Sequence, residues 1–151
     1  MSTLYERILV PVNGTASDER VMTVVSELAH EDQISITLIY VVEVSQSMPL
    51  DAELPAEIDR GEVILQRAEK IAMTRPHHKL TSVTSDLLQA RSAGAAIVDE
   101  AIERRADAIV IAAKNHTVHG KVTMGETVNY ILKNAPCEVI TVRVPSKYAS
   151  R

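Results

Sequence analysis

Arg7-Ile8-Leu9-Val10-Pro11-Val12 runs directly into Asn13-Gly14-Thr15, and this transition decides the fold. A short run rich in β-branched and aliphatic residues reads as a buried strand, and Asn-Gly reads as the turn that ends it. Apolar residues then return with helical spacing at Val21, Val24, Val25, Leu28 and Ala29, so a helix follows the strand. Ile34 to Val42 is the second strand. It is nearly continuous in apolar character, as expected when both faces of a sheet are covered.

The same alternation continues to the end of the chain. A long connection from Glu43 to about Ala56 leads to a helix carrying Ile58, Ile64, Leu65, Ala68, Ile71 and Ala72, which stops at Arg75-Pro76. Met48 and Leu50 in that connection either cover the strand ends or pin the loop to the domain. Gly61 lies inside the helix and is expected to weaken it by about 1 kcal/mol relative to Ala. The third strand is expected near Leu80 to Leu88, and Ser92-Ala93-Gly94 opens a helix with Ile97, Val98, Ala101 and Ile102. Asp107 to Ala112 is the fourth strand, Lys114 to Lys121 a polar loop, and Val128, Ile131, Leu132 and Ala135 mark a short helix. Glu138 to Val144 is the fifth strand, closed by Pro145. Strands that alternate with helices imply an α/β fold, with a five-stranded parallel sheet and helices on both faces. The expected strand order is 3-2-1-4-5, in one domain over residues 1–145, with 146–151 a flexible tail.

Composition excludes several classes. No stretch of the 151 residues approaches the ~18–20 consecutive apolar residues of a membrane span, so no membrane insertion is expected. Met1 to Arg7 passes straight into the first strand and leaves no room for a signal peptide. A lone Cys137 cannot form an internal disulfide, and the expected location is the cytoplasm. A net charge of −4, with no Phe and no Trp, argues against nucleic acid as a partner, which calls for a basic face or stacking platforms.

No catalytic constellation can be assembled. The chain lacks Gly-x-Gly-x-x-Gly, the P-loop motif, and clustered carboxylates at the first strand's exit. The expectation is a protein that is not an enzyme, with weak ATP hydrolysis as a third hypothesis. His116 and His119 stand in the polar loop without a nearby Cys or a third ligand, and His77-His78 lies in a turn, so no metal site is expected. Cys137 reads as a small buried hydrophobe at the entry to a core strand.

In open α/β sheets a ligand binds at the strand exits where the strand order reverses. Here those exits are Val12 to Thr15 and Ala112 to Asn115. At both, the chain resembles the universal stress protein family. Ile8 to Thr15 is similar to that family's opening strand and turn. Gly125, Ile131-Leu132-Lys133-Asn134-Ala135-Pro136-Cys137 and Val139 to Val142 are similar to its closing half. The resemblance spans essentially the whole chain and implies an adenine nucleotide alpha hydrolase-like, Rossmann-like fold.

The ATP-binding branch of that family carries Gly-x-x-Gly, a nine-residue spacer, then Gly followed by Ser or Thr. The matching positions are Ala112, Asn115, Gly125 and Glu126, and only Gly125 is retained. The family's acidic residue after the first strand matches Asn13. The chain therefore looks like a divergent member with a degenerate ATP motif. Glu126 is the serious departure, because a carboxylate stands where a hydroxyl helps hold phosphate at a helix N-terminus. At ~4 Å and an effective dielectric of about 20, one such pair costs about 4 kcal/mol, roughly a thousandfold in affinity. Lys114, Lys121 or a divalent metal would offset part of this. Thr123-Met124-Gly125-Glu126 also fits a capping box, with Thr123 capping the helix and Glu126 reaching back.

The resemblance implies a stress- or transport-linked regulatory protein that binds rather than turns over. Its ligand would be an adenine nucleotide, ATP with Mg²⁺ or AMP, bound weakly. Val41 would offer its backbone to the base, beside Pro11 and Val12. Asn13, Asn115, Gly125 and Thr127 would lie near ribose and phosphates. The alternative is a nucleotide-independent interaction module, for example one serving a membrane transporter. Val139 to Val144 is expected to be an edge strand, apolar on both faces, that pairs with its copy in a homodimer.

Overall fold

The computed structural model describes residues 5–29, 34–74, 80–113, 116–118, 121–123 and 125–143. Among these residues, seven strands and four helices follow in the order β1 (Arg7–Pro11), α1 (Ser17–Ala29), β2 (Ile34–Glu43), α2 (Pro55–Met73), β3 (Leu80–Ala90), α3 (Ala93–Glu103), β4 (Ala108–Ala113), β5 (His116–Val118), β6 (Lys121–Thr123), α4 (Glu126–Asn134) and β7 (Glu138–Arg143). The main sheet is five-stranded and parallel, in the order β3-β2-β1-β4-β7. With β7 as the fifth sheet strand, this is the expected 3-2-1-4-5 arrangement. Residues 146–151 and Val144 lie outside the described residues.

Alternation along each strand sends side chains to two separate cores. On one face Ile8, Val10, Ile36 and Leu38 pack with Val21, Met22 and Val25 of α1 and Ile64, Leu65, Ala68 and Ala72 of α2. On the other, Leu9, Ile39, Ile109 and Ile111 pack with Ile97, Val98 and Ala101 of α3 and Val128 and Ile131 of α4. Each fully buried side chain of this size contributes about 1.5–3 kcal/mol, so the apolar strand pattern is also the main source of stability. Among the described residues no helix is long and apolar enough to cross a membrane.

Three local readings are corrected. The polar loop after β4 contains an antiparallel pair, β5 with β6, in register His116↔Thr123 to Val118↔Lys121. A β-branched residue in each arm and a His119-Gly120 connection are the local signal for such a hairpin. The capping box is out of register: Gly125, not Thr123, is the N-cap of α4, at φ 92°, and Thr123 belongs to β6. Pairing across the hairpin places Thr123 in a strand, two residues before the N-cap position. Gly61, expected only as a weak point, is a close-approach position. A Cβ there would stand 2.7 Å from Leu87 Cδ1 and 2.7 Å from Tyr40 Cδ2. Its missing side chain lets α2 settle onto β2 and β3.

The long connection after β2 is pinned rather than free. Gln89 Nε2 donates to the carbonyls of Leu50 (3.2 Å) and Ala52 (3.1 Å). Arg91 donates to the carbonyl of Ser45, and Val44 N–H donates to Ala90 C=O at 2.8 Å. The loop is thus fastened at the exit of edge strand β3, with Met48 half-buried and Leu50 exposed. Of the two roles open to Met48 and Leu50, these bonds favour pinning.

Candidate functional site

The gap at the exits of β1 and β4 begins with a proline. Asp107 N–H donates to Arg7 C=O at 2.8 Å, Ser35 N–H to Glu6 C=O at 2.8 Å, and Val12 N–H to Ile39 C=O at 2.9 Å. Backbone groups alternate in direction along a strand. Odd residues of β1 therefore face β4, and even residues face β2. Carried forward, the register sets residue 11 opposite the carbonyl of Ile109. Residue 11 is Pro11, which has no N–H. Registered pairs between β1 and β4 accordingly stop at Leu9↔Ile109, whereas β1 stays paired with β2 through Pro11↔Ile39.

Beyond that point two backbone edges face the gap. On β2, Val41 directs its N–H and C=O to the same side as Ile39, toward β1. On β4, Ile111 and Ala113 share the side of Asp107 and Ile109. Ala112 has the opposite parity and registers with Val142 of β7. The peptide groups of the matched motif position thus turn away from the gap, and those of Ala113 turn toward it. Val12 is buried in the α1–α2 core, and Val41 is half-buried against the α3–α4 core.

The β1–α1 loop is held by a residue that sequence reasoning did not single out. Asp18, only 7% exposed, accepts the N–H of Asn13 at Oδ1 (3.1 Å) and the N–H of Gly14 at Oδ2 (2.7 Å). Burial pushes its carboxyl above the usual carboxylate range, while those two N–H bonds and the charge of Arg67 pull it back. Gly14 sits at φ +82°, where a Cβ would be strained and would meet Ile64 Cδ1 of α2 at 2.7 Å. Asn13 does not reach out: its Oδ1 accepts the N–H (2.9 Å) and hydroxyl (2.7 Å) of Thr15. An Asp in the first helical turn just after Asn-Gly was the available signal, since short carboxylates there bond the N–H groups of the preceding turn.

Helix α4 starts with exposed Glu126, preceded by half-buried Gly125 and followed by half-buried Thr127. Asn115 lies outside the described residues, as do Lys114, His119 and His77-His78; the side chains of His116 and Lys121 are likewise undescribed. Among the described residues no group of three or more His, Cys, Asp or Glu could hold a metal ion. Cys137 is half-buried against the α3–α4 core, and burial, followed by Asp107 and Glu138, pushes its thiol up, away from the reactive thiolate.

A family model described as the universal stress protein family matches residues 4–143. The universal stress protein MJ0531 of Methanocaldococcus jannaschii is 27% identical over 150 residues, covering 95% of this chain and 85% of that protein. A universal stress protein from Archaeoglobus fulgidus superposes with a TM-score of 0.70 at 22% identity, covering 91% of this chain and 98% of that one. A universal stress protein solved in complex with cAMP superposes with a TM-score of 0.67 at 17% identity, covering 92% and 97%.

Proposed function

The chain belongs to the universal stress protein family, and we propose that within it the protein is a regulatory binding module that takes an adenine nucleotide at the β1–β4 gap. The observation that carries this reading is the backbone edge of Val41, turned toward β1 beyond the last registered pair, Pro11↔Ile39. A donor and an acceptor side by side suit the edge of a base. The cAMP held by one structural neighbour is a ligand of the same adenine class.

The phosphate end is poorly served. Glu126 puts a carboxylate in the first turn of α4, where a phosphate would otherwise meet open N–H groups. In the β1–α1 loop, Asp18 already takes two N–H donors. ATP with Mg²⁺ is therefore expected to bind more weakly than ~1 μM, and AMP no worse than ATP. Calorimetry at physiological salt measures both, and a sub-micromolar constant for ATP would overturn the electrostatic argument. Glu126→Ser is expected to tighten ATP binding; an unchanged constant would mean that Glu126 points away from the phosphates.

The same two carboxylates favour one alternative, an interaction module that needs no nucleotide, such as one serving a transporter. Native mass spectrometry of the purified protein, followed by the nucleotide panel, separates the two readings. Under either, β7 is an edge strand with Ile140 and Val142 half-buried on one face and Val139 on the other. Pairing with its copy in a homodimer would cover that edge. Val142→Lys is expected to weaken the dimer. Light scattering that finds wild-type monomer at about tens of micromolar would refute it.

A further inference from the structure

Asp18 does more than close a turn. If β1 had continued as a regular parallel strand, the register that brings Val12 N–H to Ile39 C=O would bring Gly14 N–H to Val41 C=O. Gly14 N–H instead donates to Asp18 Oδ2 at 2.7 Å, and among the described residues no backbone bond from the β1–α1 loop reaches Val41. The diversion is built into the fold. Asp18 is buried at the start of α1, Gly14 is held at φ +82° against Ile64, and Asn13 is tied by its own Asx turn to Thr15. We propose that Asp18 is the positioning residue of the ligand site: by capturing Gly14 N–H it keeps the backbone edge of Val41 vacant for an adenine base. This rests on the reading of the gap as an adenine site and names the residue that sets its specificity for the base.

Two measurements test it. The first uses no ligand: amide hydrogen exchange of the wild type and of Asp18→Ala by NMR. In the wild type the Gly14 amide is expected to be protected and the Val41 amide to exchange at least ~10-fold faster than its neighbour Val42. In Asp18→Ala, Gly14 is expected to lose its downfield, carboxylate-bonded shift. The second is calorimetry with adenosine, which carries the base without phosphate charge. Asp18→Ala is expected to weaken adenosine about tenfold, the scale of one well-placed hydrogen bond. Asp18→Asn keeps one carbonyl acceptor for Gly14 and is expected to recover most of that loss.

Asp107 supplies the matched control. It accepts two backbone N–H groups, of Glu6 (2.7 Å) and Arg7 (2.8 Å), at the opposite end of β1. Asp107→Ala should therefore lower stability without changing adenosine affinity. Equal loss of binding in both variants would reduce Asp18 to a general stabiliser and overturn the proposal. A slowly exchanging Val41 amide in the wild type would overturn it on geometry alone. If the exchange pattern is as expected but neither adenosine nor AMP binds the wild type, the adenine reading fails, and with it the role of Asp18 toward a ligand.

Discussion

Gly61→Leu is expected to destabilise the protein by about 3 kcal/mol, lowering the thermal midpoint by about 6–12 °C for a chain of this size. Helix propensity alone predicts the opposite sign, because Leu gains close to 1 kcal/mol over Gly in a helix interior. Packing decides the outcome. The first carbon added at Gly61 already stands 2.7 Å from both Leu87 and Tyr40, and Leu adds three more. Leu87 and Tyr40 are both packed against the α1–α2 core, so relieving the overlap lifts the helix from the sheet. Lifting it withdraws Ile64 and Leu65 from the core they share with Ile8 and Val10. Urea unfolding of the variant beside wild type measures the sign, and a stabilised variant would show that α2 tolerates displacement from β2 and β3.

Asp18→Ala is expected to cost about 2–4 kcal/mol at neutral pH, since it removes the buried carboxylate that accepts the N–H groups of Asn13 and Gly14. Its pH dependence has a defined sign. Burial raises the folded-state pKa of Asp18 above its ordinary value of 3.8. Between those two values the native state holds more protons than the unfolded state. Stability contributed by this group is then fully present below 3.8 and is lost as pH rises through the folded pKa. The gap between wild type and Asp18→Ala should accordingly be wider near pH 4 than at pH 7. Denaturant titrations at the two pH values measure it. A gap that widens toward neutral pH would mean that the two N–H bonds outweigh burial, and that the carboxyl is held down rather than up.

Family membership and the fold carry different weight for these results. The family model covers residues 4–143, and the superpositions at 22% and 17% identity speak to the fold. The proposed ligand specificity rests on this chain's own residues, where Ala112 and Glu126 stand at the positions that match the motif's Gly and hydroxyl. Adenosine calorimetry therefore bears on this protein rather than on its relatives.

The order of strands and helices, the parallel sheet and its two covered faces were legible in the sequence. They depend on local periodicity: Ile8, Val10 and Val12 alternate with Leu9 and Pro11, and Val21, Val25 and Leu28 repeat at the helical period. The position of the gap was legible too, because a strand that ends in Pro11-Val12-Asn13-Gly14 has a defined exit. Which groups line it was not. The parity of β4 turns Ala113 and not Ala112 toward β1, and the missing N–H of Pro11 matters only because Ile109 lies opposite. Asp18 matters only because Gly14 N–H lies within 2.7 Å of it and would otherwise continue the ladder toward Val41. Thr123 was lost as a cap for the same reason, through pairing with His116. Side-chain period is a property of neighbours along the chain, whereas the partner of each backbone donor is set by the strand or loop that lies beside it in space, which only the tertiary structure decides.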